Sequence, residues 1–459
     1  MGKPKYIPPV KIGDRLELSV ETLASSGDGL THCQGYALFV PPGLPGDRVL
    51  GEVVRVTPRW GVARAVERLQ DSPDRIAPPC PVFPQCGGCK LQSLRYEKQM
   101  EYKVQTVVES LKRLGKLDLP EEIQTIPADR PYGYRNKGSF AAREKGGRLR
   151  IGFFEEGTHE TVDSDRCDIL LPIVNEIKEW VRGLLVKHRI SIYDETARKG
   201  FLRGLIVRHS VLSGESLVGL VTAEGDFPAK FIEAVSAREA RARFGLVGVV
   251  QNFNPRVTNV ILGNVNRLLW GRDYFIDRLG DLRFRLSLGS FFQVNPYQTV
   301  RLYDLVRDWS AEGAKGGRII DAYCGSGGIA LWLARSGAEV VGVEEFPEAA
   351  GDARESASLN GLGQCEFLAG TVEEHLDRLK NLGDVQTLVL DPPRKGCSED
   401  VVRAIADIDP ERVVYVSCNP ATLARDLGKL RGYAVEKLCA IDMFPQTPHV
   451  EAAVLLRKP

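Results

Sequence analysis

Three patterns of apolar and polar residues follow one another along this chain. From about Val10 to Arg68, period-two runs such as Leu16-Glu17-Leu18-Ser19-Val20, Tyr36-Ala37-Leu38-Phe39-Val40 and Val49-Leu50-Gly51-Glu52-Val53-Val54 are broken by Gly27-Asp28-Gly29 and by Pro41-Pro42-Gly43-Leu44-Pro45-Gly46. Alternation punctuated by turn residues predicts a small antiparallel, OB-like β-barrel. A proline-rich stretch, Asp71 to Pro84, reads as a linker, and apolar positions at helical spacing predict a helix over roughly Leu94 to Leu114. From there to about Leu288 the pattern mixes strands, Leu202 to Val207 and Ser216 to Val221 among them, with a helix near Pro172 to Val186, which predicts a mixed α+β middle region.

After Gly316 strands and helices alternate: Arg318 to Ala322, Ile329 to Ser336, Glu339 to Glu344, Pro347 to Leu359, Thr387 to Leu390, Glu399 to Ala406, Arg412 to Val416 and Ala421 to Leu430. Strands separated by helices of about ten residues predict a parallel, doubly wound α/β sheet of Rossmann-like type. The expected division is 1–70 for the barrel, 71–288 for the middle domain and 289–459 for the α/β domain.

Composition narrows the class. A chain of 459 residues is long enough for two or three cores. No stretch reaches the roughly 20 apolar residues of a membrane span, and Met1-Gly2-Lys3-Pro4-Lys5-Tyr6 opens neither a signal peptide nor a myristoylation signal, so a cytoplasmic location without a membrane partner is expected. The net charge of +1 gives no global cationic field, so a nucleic acid would be held by local patches. One such patch collects Arg130, Arg135, Lys137, Arg143, Arg148 and Arg150 with Tyr132, Tyr134 and Phe140; an ordinary solvated hairpin is the competing reading.

Candidate chemistry falls at strand ends, where open α/β sheets carry it. Cys418 follows the apolar run Arg412 to Val416 in Ser417-Cys418-Asn419-Pro420, and Asp391-Pro392-Pro393-Arg394 closes the strand Thr387 to Leu390. Asp321-Ala322-Tyr323-Cys324-Gly325-Ser326-Gly327-Gly328 forms a tight strand-to-helix turn, and Glu344 ends the next strand, placed to accept hydrogen bonds from a ribose diol. Cys397 is a rival thiol, Cys324 reads as packing, and His449 reads as structural. Ten cysteines in a reducing compartment point to metal ligation or catalysis before disulfides. Cys80, Cys86 and Cys89, with Cys167 far downstream, suit zinc or an iron–sulfur cluster, and spacing alone leaves both open.

Two resemblances complete the reading. With Gly13-Asp14 and Pro45-Gly46-Asp47, the N-terminal stretch resembles a TRAM domain, an RNA-binding barrel. Ser290-Phe291-Phe292-Gln293-Val294-Asn295, the glycine turn, Asp391-Pro392-Pro393-Arg394-Lys395-Gly396, Ser417-Cys418-Asn419-Pro420 and His449-Val450-Glu451 stand in the order of the RNA (uracil-5-)-methyltransferases, which the chain resembles over nearly its whole length. That resemblance implies Cys418 as nucleophile, Glu451 as proton acceptor, and Gln293, Tyr323, Glu344 and Asp391 as the S-adenosylmethionine site, with Phe291 helping to hold a flipped base. It also implies a [4Fe-4S] cluster on Cys80, Cys86, Cys89 and Cys167. The substrate implied is a uridine of structured RNA, 23S ribosomal RNA in the cluster-bearing TRAM branch, with no obligate protein partner. The alternatives are the same chemistry on transfer RNA, methylation of an exocyclic amine, and a non-catalytic RNA-binding iron–sulfur protein. Arg394, standing where amine methyltransferases carry an aromatic residue, argues against the second and is expected to grip a phosphate or base edge.

Overall fold

The computed structural model describes residues 7–256, 261–312 and 317–458; the opening Met1–Tyr6 and the transition at Gly316 lie outside them. The fold separates into two compact units, one within Met1–Thr106 and Phe444–Pro448, the other within Val107–Met443 and His449–Pro459.

In the first unit, six strands form one sheet in the order Arg15–Ser19, Arg48–Val56, Trp60–Gln70, Tyr36–Val40, Gly29–Cys33, Thr22–Leu23. The sequence alternation becomes side-chain alternation: in Tyr36–Val40 every second residue is buried, and Leu18, Val20, Tyr36, Leu38, Val40, Val49, Val53 and Ala63 share one core. The pairing of Tyr36–Val40 with Trp60–Gln70 is parallel, so the sheet is not purely antiparallel as expected. Pro45-Gly46-Asp47 is a structural turn. Gly46 adopts φ +90°, a conformation that glycine tolerates, and the Asp47 carboxylate accepts hydrogen bonds from the Leu44 and Ser72 amides while pairing with Arg75.

In the second unit a seven-stranded sheet runs Thr161–Asp163, Arg148–Phe154, Lys137–Lys145, Leu202–His209, Ser216–Thr222, Leu246–Phe253, Val265–Gly271. The helix Pro172–Lys187 covers one face, burying Val174, Ile177 and Val181 against Phe140, Leu205 and Val207. An eight-stranded sheet runs Cys365–Ala369, Glu339–Glu344, Arg318–Ala322, Val385–Leu390, Arg412–Ser417, Glu451–Arg457, Ala434–Ile441, Gln124–Ile126. Its first five strands are parallel, as the strand–helix alternation predicts. Glu451–Arg457 then inserts antiparallel beside Arg412–Ser417, and the short Gln124–Ile126 strand, far upstream in sequence, extends the edge.

Candidate active site

Strand register brings Cys418 and Glu451 together. Ser417 pairs with Ala452 in the antiparallel ladder, so the next residue of one strand faces the preceding residue of the other. Past Cys418, the Asn419 side chain accepts the Ala421 amide at 3.1 Å and caps the helix Pro420–Leu427, whose first position is proline. The thiol therefore sits between a strand end and a helix start, on backbone fixed from both sides.

Asp391 follows the neighbouring strand Val385–Leu390, and its loop is tied to the thiol loop: the Arg394 carbonyl accepts from Asn419 Nδ2 at 3.0 Å and Thr422 Oγ1 at 3.2 Å. The Arg394 guanidinium lies against the His449 ring, 3.0 Å from Nε2, and reaches the Cys418 thiol as well. Four groups separated by as much as 60 positions in sequence thus act on one another.

Their proton affinities show it. Burial pushes the Cys418 thiol up to about 11, reinforced by the Glu451 and Asp391 carboxyls and opposed by Arg394. Glu451, 2% exposed, is held well above the ordinary carboxylate range by burial and then by Asp391, again opposed by Arg394. Burial lifts Asp391 to about 7. Near pH 7 the Asp391 carboxyl therefore still holds protons that water would have removed.

The glycine turn stands next to it on the sheet edge. Tyr323 adopts φ +80°, unusual for a residue with a Cβ, with its amide donating to the Val343 carbonyl at 3.0 Å. The Glu344 carboxylate accepts the Gly325 and Phe346 amides, each at 2.9 Å, one per oxygen, and burial raises its pKa. Gln293 is buried on the Ser290–Asn295 loop, whereas Phe291 on the same loop is 65% exposed. Gln293, Tyr323, Glu344 and Asp391 all lie in the second unit: Tyr323 and Asp391 directly follow strands of the eight-stranded sheet and Glu344 ends one, while Gln293 lies between the strand Leu282–Ser287 and the helix Pro296–Ala311.

The rival thiols are engaged elsewhere. Cys397 is buried with Sγ 3.4 Å from the Tyr415 hydroxyl, which donates to Asp426 at 2.8 Å. Cys324 is buried, and its thiol is raised well above the usual range by burial and then by Asp321. Sequence reasoning assigned no role to Asp321, a buried carboxyl lifted to about 8 by burial and then by Asp391. It also passed over Arg208 and Asp352, which grip the Ser287–Ser290 segment: Arg208 donates to the Ser287 and Ser290 carbonyls at 2.7 and 2.8 Å, and Asp352 accepts the Ser287 amide at 2.7 Å. A charged residue closing the apolar run Leu202 to Val207 was the available signal for Arg208.

In the basic segment, Arg143 pairs with Glu195, Arg130 covers the Tyr297 ring at 4.6 Å, and the Arg135 Nε donates to the Lys137 carbonyl at 3.0 Å. The predicted cysteine ligands are less assembled. Cys86 Sγ accepts the Gly88 amide at 3.4 Å, and its thiol is raised by burial, with a smaller contribution from Cys80. Cys167 belongs to the second unit, where its amide donates to Asn175 Oδ1 at 2.9 Å. Among the described residues no three His, Cys, Asp or Glu side chains group as metal ligands. No helix among the described residues is long and apolar enough to cross a membrane.

A doubly wound sheet with a glycine turn, an amide-held acid and a thiol–carboxyl pair along one edge defines a Rossmann-like methyltransferase. Residues 257–459 match the family model described as tRNA (Uracil-5-)-methyltransferase. An uncharacterized RNA methyltransferase of Halalkalibacterium halodurans is 40% identical over 456 residues, 98% of either chain. Another, from Clostridium acetobutylicum, is 37% identical over 458 residues, again 98% of either chain. The crystal structure of Pyrococcus abyssi tRNA (uracil-54, C5)-methyltransferase in complex with S-adenosyl-L-homocysteine is similar with a TM-score of 0.77 at 28% identity, covering 96% of this chain and all of that one. The chain belongs to the RNA methyltransferases of the tRNA (uracil-5-)-methyltransferase family, and it is an enzyme.

Proposed function

We propose that this enzyme methylates carbon 5 of a uridine in 23S ribosomal RNA with S-adenosylmethionine as donor, through a covalent adduct to Cys418. The observation that carries the reading is the convergence of Cys418, Glu451, Asp391 and Arg394 on one sheet edge. Carbon 5 of uracil is a weak nucleophile until a thiolate adds at carbon 6 and turns the ring into an enolate. The bound donor supplies an electrophilic methyl on a sulfonium, positioned by Gln293, Tyr323, Glu344 and Asp391. Carbon 5 takes that methyl, Glu451 takes the carbon 5 proton, and the electron pair returns to the ring as the carbon–sulfur bond breaks. A carboxyl with a raised pKa suits that acceptance, because once ionised it is a stronger base than a solvated one. Arg394 favours the thiolate that starts the sequence.

The N-terminal strands, 1–70, read as a TRAM barrel for RNA; the middle region, 71–288, holds the flanking strand; 289–459 carries the chemistry. Phe291, exposed beside the glycine turn with its carbonyl accepting from Ser326 Oγ at 3.0 Å, fits a base flipped out of its stack. A [4Fe-4S] cluster on Cys80, Cys86, Cys89 and Cys167 rests on the family resemblance and takes no part in these steps; iron and sulfide content of protein purified without air decides it.

A transfer RNA uridine is the second reading, favoured by the similarity to the Pyrococcus abyssi enzyme over 96% of this chain. Denaturing electrophoresis with 5-fluorouridine transcripts separates the two, since fluorine at carbon 5 cannot leave as a proton and the adduct is trapped. An adduct on 23S RNA supports the first reading and one only on transfer RNA the second. No adduct on either removes the thiol mechanism.

A further inference from the structure

Lys137 opens the strand Lys137–Lys145 and pairs in register with Arg208. Residues directly opposite in an antiparallel ladder project to the same face. Arg208 identifies that face: its guanidinium donates to the Ser287, Leu288 and Ser290 carbonyls and lies over the Phe275 ring. Phe140, three residues along from Lys137, turns to the opposite, helix-covered core. The adjacent Asn136 amide donates to the Val294 carbonyl at 2.9 Å. Lys137 is thereby stapled beside the Ser290–Asn295 loop, which carries Phe291 and Gln293.

Every other charged group on that face is answered. Arg208 has its three carbonyls and senses Asp277, Asp352 and Glu348. Asp277 accepts the Arg278 amide and the Asn136 side chain, Asp352 pairs with Arg285, and Arg135 donates to a carbonyl. The Lys137 ammonium has no hydrogen-bond or ion-pair partner among the described residues, and its charged neighbours are two more cations, Arg208 and Arg135. Burial, with those cations adding to it, pushes its pKa down to about 7. A half-buried cation without a counter-charge is costly to the fold. Such a cost is expected where the missing anion arrives with a ligand.

We propose that Lys137 binds a backbone phosphate of the RNA strand next to the nucleotide held at the Phe291 loop. The assignment rests on the RNA-methylation reading above and adds to it a named anchor for the flanking phosphate.

The full-length protein, Lys137→Met and Lys137→Arg are compared for binding of a 23S RNA transcript and a transfer RNA transcript across a potassium chloride series, with thermal melting and S-adenosylmethionine calorimetry alongside. In Lys137→Met the salt slope of RNA binding is expected to fall by about 0.7, the release of one counterion from a single strand. The same variant is expected to melt at a higher temperature than wild type, because an unanswered charge has left the fold. Lys137→Arg restores the slope, and donor binding is the same in all three. An unchanged slope in Lys137→Met, or a lowered melting temperature, overturns the proposal. So does a loss confined to S-adenosylmethionine, which would give the ammonium to the donor's carboxylate. A wild-type protein that binds neither RNA overturns the methylation reading itself, and the anchor with it.

Discussion

The molecule buries carboxyl groups in two opposite ways. In the first unit Asp47 is 1% exposed, yet its pKa is lowered: burial alone would raise it, but Arg75 and the Leu44 and Ser72 amides outweigh that. In the second unit Glu451 and Asp391 are raised, Asp391 by burial and Glu451 by burial and then by its carboxyl neighbour, with Arg394 opposing the rise at Glu451. A buried acid surrounded by donors is a structural tie, stable only as the anion. A buried acid facing another acid is a store of protons, and stores of that kind mark chemistry more often than packing. The difference separates the turn at Asp47 from the edge at Cys418, although both motifs were conspicuous in the sequence.

Removing the thiol is the most drastic way to break this contrast. Cys418→Ala should abolish both methyl transfer to RNA and the trapped adduct on 5-fluorouridine RNA, while Cys397→Ala keeps the adduct; gel-shifted protein on denaturing electrophoresis reads both. An adduct that persists in Cys418→Ala would transfer the role to another thiol.

Next comes Glu451→Gln, which keeps the shape and removes the base. Turnover should fall by about 10²–10⁴-fold, the range of a positioned acid–base group. The adduct should still form, and should now accumulate on ordinary uridine, because addition and methyl transfer precede the proton loss. Rapid-quench analysis distinguishes this from a variant that never adds the thiol.

Arg394 is the cation that opposes the raised proton affinity of Cys418 and Glu451, and its removal should be milder. In Arg394→Ala the Cys418 thiol climbs further above 11, and each unit of that climb removes tenfold of the thiolate at a fixed pH below it. A loss of about tenfold in single-turnover rate at pH 7.5, constant with pH until it nears the thiol's own pKa and with RNA affinity unchanged, is the expected result. A loss that appears in RNA affinity and not in the single-turnover rate at saturating RNA would mean that the guanidinium holds RNA instead of tuning the thiol.

How much of this contrast could be read beforehand depends on the range of the forces involved. The helices Glu399–Ile408 and Pro347–Asn360 and the strands Arg412–Ser417 and Glu339–Glu344 lie within a few residues of their expected bounds, since periodicity and caps are local. The residues Cys418, Asp391 and Glu451 were visible because each ends or begins an apolar run. Their mutual effect was not, because Glu451 reaches Cys418 only through an antiparallel insertion that no local pattern encodes. The three-residue strand Gln124–Ile126 is too short to show any period, and its partner lies more than 300 residues away. Lys137 looked like one of six basic residues on a hairpin; burial lowers its pKa, and the like charge adding to that comes from Arg208 in a strand some 70 positions on, which only pairing reveals.

The smallest expected effect is also the most direct comparison of the two regions, because it reads stability and not rate. Asp47 has a folded pKa below its unfolded value, so its contribution is present above the unfolded value near 4 and is lost as pH falls through the folded one. Asp391 has a folded pKa raised to about 7, so between pH 4 and 7 the native state holds more protons than the unfolded chain and stability declines as pH rises through that window. Asp47→Asn should therefore lose stability at pH 7, and its difference from wild type should shrink as pH falls below about 4. Asp391→Asn should instead match wild type near pH 4 and gain on it toward pH 7. Melting midpoints of both variants over that range would show differences from wild type of opposite sign at pH 7. Two differences of the same sign would mean that the acids of the catalytic edge are compensated after all, and that the thiol's neighbours are structural ties like Asp47.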